Sequence, residues 1–284
     1  MAVTIAVINN KGGVGKSTTV CALASMLDMI NKKVLVIDAD PQNNSSQVFR
    51  VYDPDTLGGT YDLFFSDVPV KDLIKVSSNS NVHVLPAGQE HWNTTEDLAV
   101  LSKERGRNQA TLTLRRRLKE IQDDYEFIII DNSPARGILA DNVLAASDYV
   151  LTPVQVEGFS YEGIKMVIGD VTRIKENFNP DLVFLGALFV MVTPRTNLFK
   201  SIYHQFIDEL GDDAIKQPIR LDNTVREANT NFTPLYRYAP RSKAGTDYIR
   251  AAQEMNFIDD REMEKLMKWC GVKGDHFDLR AEVE

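Results

Sequence analysis

Three glycines, a lysine and a serine between positions 12 and 17 have the plainest chemical use of any residues in this chain. They stand in the string Asn9-Asn10-Lys11-Gly12-Gly13-Val14-Gly15-Lys16-Ser17-Thr18, which follows an apolar β-branched run and opens a helix-length segment. Glycines at 12, 13 and 15 let the backbone turn back with its N–H groups aimed inward, and the helix N-terminus behind them adds about half a unit of positive charge. Such a nest binds polyphosphate. Lys16 can reach the β- and γ-phosphates of a nucleotide, and the Ser17 hydroxyl can ligate Mg²⁺. A Gly-rich turn that only caps a helix would explain the glycines, but not the Gly-Lys-Ser triplet between a strand and a helix.

Two further segments deliver carboxylates. Val36-Ile37-Asp38-Ala39-Asp40-Pro41-Gln42-Asn43 ends a second apolar run. Side chains two apart on a strand share a face, so Asp38 and Asp40 are expected to point to one side at the strand terminus. One could position Mg²⁺ and its waters while the other orients an attacking water. The plainer alternative has Asp38 capping a helix and Asp40-Pro41 making a turn. Further on, Ile128-Ile129-Ile130-Asp131-Asn132-Ser133-Pro134 carries one carboxylate to a sheet edge in the Walker B manner. There Asp131 would hold a Mg²⁺-bound water, and 132–137 would form a loop that senses the γ-phosphate.

The elements that must position these groups are legible as an alternation. Residues 3–8, 34–37, 127–130, 149–151 and 183–190 are apolar runs expected of strands buried on both faces. Between them, 18–30, 112–121, 161–178 and 198–210 have helix length. The fold class implied is α/β, a mostly parallel twisted sheet with helices on both faces. Turn signals crowd 52–109, at Asp53-Pro54, Gly58-Gly59, 77–81 and Gly88, with one short strand expected near 82–85.

Composition narrows the classes. The chain has 284 residues, 43% hydrophobic, so one large domain over 1–284 is the default, with a core to about 256 and a helical extension over 257–284. The net charge of -8 means that any nucleic-acid contact must come from a local patch. Cys21 and Cys270 alone make neither a disulfide framework nor a paired-cysteine metal site, which fits a cytoplasmic setting. No signal-like n-region precedes the first strand, and no apolar run approaches the roughly 18 residues of a membrane span.

The loop departs from the ordinary phosphate-loop pattern, which needs glycine where this chain has Asn10, and it adds Lys11. KGGVGKST resembles the deviant Walker A of the ParA/MinD superfamily of P-loop ATPases. The resemblance implies that Lys11 reaches across a dimer to the partner's nucleotide, and that Asp40, the second carboxylate of its pair, serves hydrolysis. It extends through 153–157 with Glu162-Gly163, through Arg195-Thr196-Asn197, Val225-Arg226-Glu227-Ala228 and Pro240-Arg241-Ser242-Lys243-Ala244-Gly245, and so covers most of 1–256. The chain departs at Asn132-Ser133-Pro134, where many relatives carry Pro-Pro, and at Asn231-Phe232-Thr233-Pro234, where relatives often carry Gly-Lys-Pro.

From this resemblance follow catalytic roles for Lys11, Lys16 and Asp40, and nucleotide contacts from Lys11, Gly12, Gly13, Val14, Gly15, Lys16, Ser17 and Thr18. Adenine contacts are expected from the loops at Thr193 and Pro218, and Mg²⁺ contacts from Ser17, Asp38 and Asp131. The implied function is ATP-dependent DNA segregation by a cytoplasmic, nucleoid-associated ATPase that forms a homodimer with ATP. It would bind non-specific DNA and be stimulated by a ParB-like centromere-binding partner. Arg195, Arg226, Arg241 and Lys243 are the expected DNA contacts, and 214–250 holds seven basic residues against three acidic. The run Arg115-Arg116-Arg117 with Lys119 reads instead as a solvated helix face. The roughly one hundred residues that some ParA proteins carry ahead of this loop as a helix-turn-helix domain are not expected in this chain.

The main rival is a MinD-like ATPase on a membrane. Met263, Leu266, Met267 and Cys270 do fall at helical spacing, but Asp259, Asp260, Glu262 and Glu264 surround them and the tail 275–284 is acidic. That segment is expected to pack on the body of the protein, with no membrane contact.

Overall fold

The computed structural model describes residues 1–53, 59–88, 93–156 and 161–272. Pro54, Gly58, Glu157 and the acidic tail 275–284, all named above, lie outside the described residues.

Eight strands are seen among the described residues: β1 (Val3–Val7), β2 (Val34–Ala39), β3 (Lys75–Val76), β4 (His83–Leu85), β5 (Phe127–Asn132), β6 (Tyr149–Val154), β7 (Val183–Phe189) and β8 (Ala214–Ile215). They form one sheet in the order β3-β4-β2-β5-β1-β6-β7-β8. Every neighbour pairs in parallel except β3, which runs antiparallel to β4.

The apolar runs divide their residues by alternation. Ile5, Val7, Val34, Val36, Phe127 and Ile129 enter one core, which includes side chains of the helices Lys16–Met29, Lys243–Glu254 and Asp260–Trp269. Ala6, Ile8, Leu35, Ile37, Ile128 and Ile130 enter the opposite core, with side chains of the helices Ile138–Ala146 and Tyr161–Asn177. A period of two with no polar face is what a sheet covered on both sides demands. The helix Lys16–Met29 is buried around most of its circumference, and Leu23 and Leu27 are fully enclosed. Each such leucine contributes about 1.5–3 kcal/mol by leaving water, which anchors the helix that carries the glycine loop.

The C-terminal helix Asp260–Trp269 starts with a reciprocal capping box between Asp259 and Glu262. Leu266 and Cys270 are buried in the first core, with Met263 and Met267 packed beside them. Its apolar stripe is thus covered by the body of the chain. Between β2 and β5 the structure is more regular than the turn signals imply, with helices Thr60–Phe65, Val70–Leu73, Thr94–Arg105 and Arg107–Thr111. The helix expected over 112–121 is shorter, Thr113–Leu118.

The face is solvated only in part: Arg116 and Lys119 are exposed and Arg115 and Arg117 half-buried, and all three arginines are engaged. Arg115 donates to the Phe178 carbonyl at 3.0 Å, Arg116 to the Gln109 carbonyl at 2.9 Å, and Arg117 to Glu120 at 2.7 Å and to the Val68 carbonyl. Each uses its planar fork to close a carbonyl or carboxylate left open by a neighbouring turn or helix end.

Candidate active site

The glycine loop leaves the carboxyl end of β1 and enters the helix Lys16–Met29, at the edge where open α/β sheets bind ligands. Gly13 and Gly15 have φ of 75 and 82, in the left-handed region. A Cβ on Gly15 would also lie 3.3 Å from the Met191 methyl, a tight contact beside a backbone that already favours glycine. Gly12 meets nothing within 4 Å, and its use is the open space it leaves above the backbone. Val14 turns its side chain into the protein and can offer a ligand only its backbone.

The loop is tied from below. Asn9 donates from Nδ2 to the Pro153 carbonyl at 2.8 Å and accepts from the Lys11 N–H at 2.9 Å. Gln155 donates to the Gly13 carbonyl at 2.9 Å. Lys16 is buried, its Nζ 3.2 Å from the Lys11 carbonyl. Burial lowers its pKa, opposed by the charges of Asp131 and Asp40. Lys11 itself is exposed.

Asp38 and Asp131 face each other in register on β2 and β5. Both are fully buried, and burial pushes both carboxyls above the ordinary carboxylate range, Asp38 with the added repulsion of Asp131. Their hydrogen bonds differ. Asp38 Oδ2 accepts from the Ser46 N–H at 2.8 Å and hydroxyl at 2.6 Å, and Oδ1 from the Asp40 N–H at 3.3 Å. Asp131 accepts from the Ser45 hydroxyl at 2.6 Å, and the nearby Ser17 hydroxyl opposes the upward push on its carboxyl. Its Oδ1 is buried with no partner in the protein. Asp40 instead reaches a cavity, its Oδ1 pinned by the Gln42 N–H at 2.9 Å.

That cavity, of about 360 Å³, has the loop from Gly12 to Thr18 as floor, Asp40 and Gln47 on one wall, and Met191, Asn229 and Phe232 on the other. A second cavity of about 220 Å³ continues from Gly15 and Thr18 past Val190 and Ile219 to Tyr248. Neither Asp38 nor Asp131 lines these cavities. Ser46 and the Asp40 N–H engage both Asp38 oxygens, whereas Asp131 keeps Oδ1 open. Thr193 and Pro218 line neither cavity; their near neighbours Met191 and Ile219 do. A strand end turns its side chains alternately, so a loop can be identified from sequence while the residue facing inward is missed.

A Mg²⁺ ion held with a nucleotide fits these residues. Ser17 offers a hydroxyl, and Asp131 an unpartnered buried oxygen. No cluster of three His, Cys, Asp or Glu side chains forms a protein cage among the described residues, which suits an ion that keeps waters and takes phosphate oxygens.

The basic residues are less uniform than their count suggests. Arg220 is paired with the fully buried Asp247, at 2.7 Å and 2.8 Å from two guanidinium nitrogens, and is structural. Arg226, Arg241 and Lys243 are exposed around Asp222, which shares one cavity wall with Arg226 and one groove with Arg241 and Lys243. Arg195 is exposed apart from them, just before the helix Asn197–Leu210.

Sequence reasoning missed Ser45, Ser46, Gln155, Met191, Asn229, Asp222 and Phe232. Phe232 had a signal, since it lies in the stretch 231–234 where relatives often carry Gly-Lys-Pro. It holds φ 45, and Arg50 secures its loop by bonds to the Phe232 carbonyl at 2.9 Å and to Thr233 at 3.1 Å.

Comparison with known proteins agrees with this geometry. Residues 2–184 match a family model described as an AAA domain. The chain is 33% identical over 252 residues to "Sporulation initiation inhibitor protein Soj" of Bacillus subtilis, covering 88% of this chain and 97% of that one. It is 31% identical over 255 residues to "Chromosome-partitioning ATPase Soj" of Treponema pallidum, covering 90% and 97%. Among solved structures it resembles cobyrinic acid a,c-diamide synthase of Mycobacterium smegmatis with bound ATP analogue and magnesium. That likeness has a TM-score of 0.70 and 28% identity, and covers 78% of this chain and 85% of the other.

Proposed function

The chain belongs to the ParA/MinD family of P-loop ATPases, and from that premise we propose that it drives DNA partition as an ATP-dependent dimer. It is a partition ATPase that hydrolyses ATP and uses Mg²⁺. In the proposed cycle, ATP joins two copies, the dimer binds DNA without sequence preference, and a ParB-like centromere-binding protein stimulates hydrolysis and release.

One observation carries the catalytic reading: the loop after β1, Asp40 after β2 and Asp131 at the end of β5 meet at one edge of the sheet. The backbone N–H groups of 12–17 and the Lys16 ammonium bind the β- and γ-phosphates. Ser17 and Asp131 would hold Mg²⁺, which would supply charge neutralisation on the phosphates. Asp40 orients the attacking water. The base is taken by the cavity between Met191 and Tyr248. Asp38 supports the loop after β2 through Ser46.

For DNA, Arg226, Arg241 and Lys243 supply phosphate contacts, joined by Arg195 in the dimer. Such contacts give non-specific affinities of roughly 10⁻⁴ to 10⁻⁶ M per copy. No helix among the described residues is long and apolar enough to cross a membrane, and the C-terminal stripe is already packed. The test is retention on random-sequence DNA with ATP, with ADP and without nucleotide, over a salt series, beside sedimentation with anionic liposomes. Retention that requires ATP and falls steeply with salt is expected; liposome binding without DNA binding would replace this reading with a MinD-like one.

A further inference from the structure

Two adjacent serines follow the Asp40 turn, and each holds a different buried carboxylate. Asn43, at φ 55, turns the chain from β2 into the short helix Asn44–Val48. Ser45 and Ser46 on its first turn are fully buried. Ser46 bonds to Asp38 on β2, the strand just before it, whereas Ser45 crosses to Asp131 on β5, Oγ to Oδ2 at 2.6 Å. The Ser45 oxygen also accepts from the Cys21 thiol at 3.6 Å. A hydroxyl carries one hydrogen, so that hydrogen is committed to Asp131 and the thiol takes a lone pair.

We infer that Ser45 is a positioning residue for Asp131: by occupying Oδ2 it leaves the unpartnered Oδ1 as the oxygen for the hydration shell of nucleotide-bound Mg²⁺. Ser45 lies five positions after Asp40, on the helix that follows the turn, and Gln42 between them pins the Asp40 carboxylate. The segment that presents Asp40 to the cavity therefore also aims Asp131, and neither carboxylate is set without the other. This rests on Asp131 as a Mg²⁺ contact.

The experiment measures binding of N-methylanthraniloyl-ATP as a function of Mg²⁺, with thermal melts of the nucleotide-free protein. Loss of a hydrogen bond that orients a metal-binding carboxylate lowers metal affinity about 10- to 100-fold. Ser45→Ala should raise the half-saturating Mg²⁺ by that factor while nucleotide affinity in EDTA stays unchanged. Ser45→Thr, which keeps the hydroxyl, should return the Mg²⁺ requirement to near wild type. A Ser45→Ala protein that melts earlier yet keeps the wild-type Mg²⁺ requirement overturns the inference. If Ser45→Ala does not fold, Ser45→Cys keeps the shape with a weak donor, and a wild-type Mg²⁺ requirement in that variant overturns it equally. Asp131→Asn separates the two levels: unchanged Mg²⁺ dependence there removes the underlying assignment, whereas a shift in Asp131→Asn without one in Ser45→Ala removes Ser45 alone.

Discussion

Asp40 and Asp38 show how much two carboxylates of one motif can differ. Their spacing puts them on one side of β2, but the strand ends between them, and only Asp40 reaches the cavity. Its Oδ1 is held by the Gln42 N–H, so the side chain is already oriented before substrate arrives. Asp40→Ala should therefore bind ATP within about threefold of wild type and lose about 10²- to 10⁴-fold in turnover, the range for a positioned acid–base group. Phosphate release under saturating ATP measures this, and near-normal turnover would take Asp40 out of the mechanism. Lys16 and Asp40 were legible because strand-to-loop motifs state their own geometry. The bond from Ser45 to Asp131 was not, because it depends on β5 lying beside β2 with Asp38 opposite Asp131, a pairing between segments far apart in sequence.

At the scale of elements, one carboxylate joins two helices. Asp222 caps the helix Asn223–Thr230 through the Thr224 N–H at 3.0 Å. Its other oxygen accepts from the Ser242 hydroxyl and the Lys243 N–H, both at 2.8 Å, at the start of the helix Lys243–Glu254. The long helices and apolar strands could be read from periodicity, but this junction could not, since Asp222 and Ser242 come together only when both helices dock. Burial pushes the Asp222 carboxyl up, but hydrogen bonds from Thr224, Ser242 and the Ala244 backbone outweigh it and hold the group below the ordinary carboxylate range. A depressed carboxyl contributes stability above its unfolded pKa, about 3.9, and loses it as pH falls through the lower folded value. Asp222→Ala should cost about 1–2 kcal/mol at pH 7, the worth of a lost cap. Thermal melts should show the gap between wild type and Asp222→Ala narrowing below about pH 4. A gap independent of pH would mean that Asp222 acts by packing and not by charge.

For the whole molecule, a net charge of -8 and DNA binding are compatible only if charge is arranged. Composition gives the total, but only the fold shows that Arg220 is consumed by Asp247, while Arg226, Arg241 and Lys243 remain exposed around Asp222. On duplex DNA each phosphate neutralised contributes a slope of about -0.9 to log affinity against log salt, so so few basic groups bind weakly and two joined copies roughly double the slope. Lys11 is the residue on which such joining would turn. Its backbone serves its own loop, with the N–H on Asn9 and the carbonyl on Lys16, and the residue is exposed. Removing that side chain should leave the cradle intact. Lys11→Ala is expected to bind ATP within about threefold of wild type, the change for one exposed cation being under about 1 kcal/mol. It should nevertheless keep a monomer's mass in light scattering with ATP, and its DNA retention should show about half the wild-type salt slope. If Lys11→Ala doubles in mass with ATP, the lysine acts within its own copy, and the dimer must be held by other contacts.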